Sequence, residues 1–114
     1  MGYVLVNKDQ LMRDGDSFEF EGYLFGEAGV SVILVDVPPR GGPRLHSHPY
    51  EEVFIVQEGR ATYTVGSDMV EVAAGQIVVA PAGVPQKFVN SGSGPLRQVD
   101  IHASGKFITE WLED

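Results

Sequence analysis

Cysteine is missing altogether. Its absence excludes disulfides, thiolate nucleophiles and zinc sites of the cysteine type. Basic residues are few: 8 Lys and Arg stand against 16 Asp and Glu, for a formal net charge of −8. They are scattered and never form a run, so nucleic acid and anionic membrane surfaces, which would repel the chain, are not expected partners. No apolar stretch approaches the ~20 residues a membrane helix needs. The opening MGYVLVNKDQ has no basic region followed by a long apolar run, so a soluble cytoplasmic protein is the expectation. Histidine is scarce too, at three in 114 residues.

What is present points to one folded domain spanning residues 1–114, since this length suits one core and is too short for two. Apolar residues make up 43% of the chain, and 14 glycines and 7 prolines punctuate it. They recur every ~8–12 residues, the spacing of short strands in an all-β sandwich or barrel. Strands are expected at Tyr3–Val6, Ser17–Leu24, Val30–Val37, Val53–Gln57, Ala61–Val65, Met69–Val72, Ile77–Ala80, Gln86–Val89 and Leu96–Ala103, with a hairpin tip at Gly66-Ser67. Phe107–Leu112 (FITEWL) is short enough to be either a strand or one or two turns of helix. No segment between the two ends sustains a helical period, so the expected fold is all-β and antiparallel, a sandwich or a jelly-roll barrel.

Two of the three histidines fall in RLHSHPYEEVF, Arg44 to Phe54. Alternate residues of a strand face the same way, so His46 and His48 project together. Glu52 opens the next apolar strand and is placed to close the site, whereas Glu51 alternates outward to solvent. Two histidines and a carboxylate are a ligand set for non-haem Fe(II), and also suit Zn²⁺ or Mn²⁺. An HxH alone is more often two solvated histidines in a loop. The added Glu52 and the glycine at 59 shift the balance toward a site.

The residues resemble a known family at this point. His46-x-His48-x3-Glu52-x6-Gly59 is similar to the first cupin motif, placed at about 41–59. Gly75-x5-Pro81-x-Gly83-x2-Gln86-x3-Asn90 is similar to the second, at about 75–90. The resemblance implies a small single-domain cupin: a jelly-roll β-barrel with a divalent transition metal (Fe, Mn, Zn or Ni) inside, held by His46, His48 and Glu52. Two positions depart from the pattern. Arg40 stands where a glycine usually opens the first motif. Gln86 stands where the family's fourth ligand is normally histidine. Gln86 then either binds the ion through its amide oxygen, hydrogen-bonds a metal-bound water, or marks a site that has lost its metal.

Other residues have a sharp reading and an ordinary one. In the last long strand Gln98, Asp100 and His102 share one face, and Val99 and Ile101 the other. The ordinary reading turns the polar face to solvent. The sharp one lines the barrel with it and makes His102 a proton shuttle or substrate contact. Phe54 and Phe88 each stand two residues from a proposed ligand, as apolar pocket walls. Arg44 either contacts an anionic group or reaches out to solvent. Tyr50, at the bend, is a candidate gate. Asn90 serves the turn at 91–95.

These readings favour a metal-dependent enzyme on a small organic molecule, with an Fe(II) dioxygenase leading. A non-redox isomerase, cyclase or decarboxylase is the first alternative. A non-catalytic barrel for binding or sensing a small ligand is the second. A homodimer is expected, with the edge offered by YVLV paired against a second copy.

Overall fold

The short apolar segments between glycines and prolines fold as strands in the structure, a computed structural model describing residues 2–114. Eleven are present among those residues: β1 (Met12–Asp14), β2 (Ser17–Phe20), β3 (Ser31–Val37), β4 (His46–Ser47), β5 (Glu52–Glu58), β6 (Arg60–Val65), β7 (Asp68–Ala73), β8 (Ile77–Ala80), β9 (Gln86–Asn90), β10 (Leu96–His102) and β11 (Glu110–Trp111). They form two antiparallel sheets. One runs β1-β2-β3-β10-β5-β8 and the other β11-β4-β9-β6-β7. From β3 onward the chain passes back and forth between the sheets, staying in one sheet for two successive strands only at the hairpin β6–β7. This is a jelly roll. The sheets face each other as a sandwich, and among the described residues no strand pair closes them into a continuous barrel.

The core lies between the sheets. Val35, Phe54 and Val56 from one meet Ala61, Tyr63, Val72 and Phe88 from the other, with Ala80 and Leu96. Glycine is required where the chain turns tightest. Gly59 joins β5 to β6 at φ +90°, and a Cβ there would lie 2.4 Å from the Pro95 carbonyl oxygen, a contact no side chain tolerates. The expected tip at Gly66-Ser67 is present, with Val65 paired to Asp68 across it. Arg40, in the place of the motif's opening glycine, takes the φ that glycine favours, +72°.

Two expected strands are corrected, and one open choice is resolved. Tyr3–Val6 is not a strand: Tyr3 and Leu5 point to solvent, and Val4 and Val6 line a groove with Phe20, Val32 and Leu34. The strand from Ser17 stops at Phe20, because Gly22 is pressed under the 28–30 loop with its amide on Ser31 Oγ (3.0 Å), and the chain makes a 3-10 turn over Gly22–Leu24. The edge that the sequence assigned to YVLV is instead β1, paired with β2 through a turn at Gly15-Asp16. At the C-terminus FITEWL is no helix. It crosses the open end and contributes the two residues of β11.

The faces of β10 are also the reverse of the ordinary rule. Gln98, Asp100 and His102 are buried, and Val99 and Ile101 are the half-exposed ones. Asp100 and Gln98 are hydrogen-bonded to each other, and Gln98 to Tyr63, so these two polar side chains find partners inside.

Candidate metal centre

Both sheets contribute to one buried polar cluster. β4 supplies His46, and His48 lies just past its end. β9 places Gln86 directly opposite His46. From the other sheet β5 brings Glu52, and β10 sets His102 opposite it in register. All five are at most 7% exposed. The donor atoms of His46, His48 and Glu52 lie within 4.8 Å of one another, the spacing of ligands around one ion.

Backbone carbonyls fix the histidines. His46 Nδ1–H donates to Arg44 O at 2.8 Å, and His48 Nδ1–H to Ile108 O at 2.7 Å. Each ring thereby keeps its Nε2 lone pair free, as a metal-binding imidazole requires. Glu52 is the hub. Its Oε1 lies 3.2 Å from His48 Nε2 and accepts a 3.2 Å hydrogen bond from Gln86 Nε2, and its Oε2 lies 3.0 Å from His102 Nε2. Neither His48 Nε2 nor His102 Nε2 makes a hydrogen bond, although both are buried. Orphaned buried nitrogens beside a carboxylate are costly unless a cation joins them.

The electrostatics follow. Burial, helped by His48 and opposed by the bond to Arg44 O, holds His46 below the usual histidine range. Burial pulls His48 down as well, but Glu52 and the Ile108 carbonyl outweigh it and the result is raised. Burial would raise Glu52, yet His102 and His48 overcome it and hold the carboxyl below its ordinary value. Deeper in, burial first and the Glu52 charge second push Asp100 well up. The two carboxyls are thus driven in opposite directions.

The cluster opens on a cavity of about 490 Å³. His46, His48, Glu52, His102, Phe54, Phe88 and Arg44 all line it. Arg44 itself is exposed and stacks its guanidinium over Trp111, 4.8 Å from the ring centroid. Tyr50 sits elsewhere, behind the histidines. Its ring stacks on His48 at 5.0 Å, and its hydroxyl meets His102 Nδ1 at 2.7 Å. Gln86 is behind Glu52 and off the cavity wall. Asn90 bonds Val37 O, Gly94 O and Gly92 N, the turn role expected of it.

Sequence reasoning missed several wall residues. Asp14, Ser17 and Glu19 come from the first hairpin, and Phe107, Thr109 and Trp111 from the C-terminal segment. Those last three alternate by two, which was a readable sign of an extended segment with one inward face.

The cupin domain family model (Cupin_2) matches residues 33–102. The chain belongs to the cupin family. Its match takes in the whole histidine cluster, from His46 to His102. An uncharacterized protein of Streptomyces coelicolor is 49% identical to this cupin over 83 residues, 73% of the chain and 75% of that protein. Among solved structures, an oxalate oxidase superimposes with a TM-score of 0.79 at 20% identity, over 95% of this chain and 63% of that one. A Bacillus subtilis oxalate decarboxylase, whose Mn(II) centres were studied, does so with 0.76 at 22%, over 84% of this chain and 27% of that one. This cupin thus spans less than two thirds of either enzyme, and the likeness is one of fold. Among its described residues no helix is long and apolar enough to cross a membrane.

Proposed function

We propose that this cupin binds a divalent transition metal through His46, His48 and Glu52 and acts as a metal-dependent enzyme on a small organic molecule in the adjoining cavity. The observation that carries the reading is the His48 nitrogen. Its Nδ1–H is committed to Ile108 O, so in the neutral ring Nε2 turns its lone pair toward a carboxylate oxygen 3.2 Å away. A cation between the two satisfies both. Fe, Mn, Zn and Ni all suit two imidazoles and a carboxylate.

The bound ion would supply Lewis acidity and, as Fe(II), a place for dioxygen beside the substrate. The chain's residues have separate tasks. Arg44 O and Ile108 O orient the imidazoles. Gln86 is given a role outside the three weighed for it, behind the ligands, its amide N–H holding Glu52 Oε1 in place. Phe54 and Phe88, packed edge to face at 6.2 Å, keep water from that wall of the cavity. A non-haem dioxygenase is the leading version.

One observation favours the non-redox alternative, an isomerase, cyclase or decarboxylase. Asp100 is a buried carboxyl on the cavity wall, with Oδ1 taken by Gln98 Nε2 at 2.8 Å, and burial favours its protonated form. Such an acid can give a proton to a substrate anion. Oxalate, named for the structural relatives, is not the proposed substrate. Asp14 and Glu19 also line the cavity, against one arginine already stacked on Trp111, so a dianion would meet like charge.

Elemental analysis of protein purified without added metal tests the reading. The expected result is a stoichiometric ion in the native protein and little in His46→Ala or His48→Ala. Absence of an ion, with no rise in melting temperature on adding Fe(II), Mn(II), Zn(II) or Ni(II), would overturn it. With metal present, oxygen uptake across phenols, diketones and thiols separates the dioxygenase from the non-redox versions. Substrate binding without turnover would leave a binding barrel.

A further inference from the structure

We infer that His102 is a ligand of the metal and supplies the imidazole that position 86 lacks. This rests on the proposed His46, His48 and Glu52 site and extends it. In the second motif of this chain the expected imidazole is an amide, and that amide turns its N–H₂ to Glu52 Oε1 (3.2 Å). An N–H₂ so placed is not donating an oxygen to an ion. The opposite sheet brings an imidazole to the same carboxylate. His102 stands across from Glu52 in the β5–β10 register, with its Nε2 3.0 Å from Oε2.

Three features distinguish His102 from a histidine that merely fills the core. It is 3% exposed, and its Nε2 has no hydrogen bond. The shortfall is one of direction, since the oxygen is near enough. Its Nδ1 is held by the Tyr50 hydroxyl at 2.7 Å, and that oxygen also accepts the Ile108 N–H at 3.3 Å. Metal-binding histidines are oriented through their other nitrogen in this way. Finally, the ring meets His48 edge to face at 4.8 Å, as His48 meets His46, so His48 stands between the other two imidazoles. Neighbouring ligands of an ion bound at about 2.1 Å lie roughly 3 Å apart in octahedral geometry. The separations of Glu52 from His48 and from His102, 3.2 and 3.0 Å, are of that size. The ligand has moved from one sheet to the other while the ion's donor set, three imidazoles and a carboxylate, is kept.

The experiment counts imidazoles on Zn(II) added to the full-length protein, by X-ray absorption. The count should be three in the wild type, three in Gln86→Ala and two in His102→Gln. Chelator competition should show Zn(II) bound about 10- to 100-fold more weakly by His102→Gln, and within about threefold of wild type by Gln86→Ala. Affinity alone is not decisive, because losing a group that only orients Glu52 has an effect of that size. A wild-type count of two, or a count unchanged in His102→Gln, overturns the assignment and leaves the His46, His48 and Glu52 site standing. Failure of the wild type to bind Zn(II) at all overturns both. The wild-type count needs no variant to fold.

Discussion

Asp100 and Glu52 are both buried carboxyls on one cavity wall, and the surroundings drive them apart. Glu52 has two imidazoles and an amide around it; Asp100 has burial and the Glu52 charge against it. For Asp100 the folded protein keeps a proton that the unfolded chain releases near pH 4. Its contribution is therefore fully present at low pH. Stability falls as pH rises from there through the raised folded value, by up to about 1.4 kcal/mol per pH unit. Asp100→Asn keeps the acceptor for Gln98 and cannot ionise. Metal-free Asp100→Asn should match wild type in melting temperature near pH 4 and exceed it by a growing margin toward neutrality. A margin that stays flat or changes sign would show that Asp100 is ionised in the fold. The same polar line continues to Tyr63, whose hydroxyl donates to Gln98 Oε1 at 2.6 Å in the core. Tyr63→Phe keeps the ring and strands that oxygen, at a cost of about 1–2 kcal/mol, measurable by urea denaturation.

At the scale of elements, the C-terminal segment covers the histidine end of the sandwich. Leu112 N bonds Leu45 O at 2.9 Å, the Trp111 ring lies 5.1 Å from His46, and Phe107 meets His102 edge-on at 4.9 Å. Half of Trp111 remains exposed (51%), so its truncation should cost only about 1–2 kcal/mol of stability. Its effect on the site should be larger in kinetic terms: Trp111→Ala should release metal to a chelator several-fold faster than wild type. Equal release rates would mean that β11 guards nothing. This segment also shows what the sequence withheld. Eight of the strands were legible because their alternation, or a continuous apolar run, ends at glycine or proline, as Ile77–Ala80 does before Pro81. β11 was ambiguous because two paired residues carry no period, and its pairing with β4 is set from 65 residues away, Trp111 against His46. β10 was legible as a strand but not in its facing. A strand with Gln, Asp and His on one side and Val and Ile on the other looks half-wetted. Here the polar side is buried because Tyr63, Glu52 and Tyr50 on other strands and turns provide partners. That information is tertiary, and for the same reason the sequence could mark His46, His48 and Glu52 as a group but could not bring His102 to them.

At the scale of the whole molecule, the outer face of the six-stranded sheet is left partly apolar. The N-terminal segment runs over it, with Val4 and Val6 in a groove beside Phe20, Val32 and Leu34, while Tyr3 (89% exposed) and Leu5 (80%) face away. An apolar pair held out from an ordered segment is expected to meet another surface, and a second copy of the chain is the expected one. The sequence placed the same residues in a pairing edge strand; the contact now expected is between side chains, since Tyr3–Val6 offers no strand. Light scattering after size exclusion should therefore give twice the 12.4 kDa chain mass, and Tyr3→Ser with Leu5→Ser should give the single mass with the fold kept. Other exposed apolar residues, Met69 and Val70 on β7 and Ile77 and Val79 on β8, supply the contrast. Val70→Ser with Ile77→Ser should leave the dimer intact. Dissociation by that pair and not by the N-terminal pair would move the interface to the β7–β8 side, and a wild-type monomer at high micromolar concentration would remove it altogether.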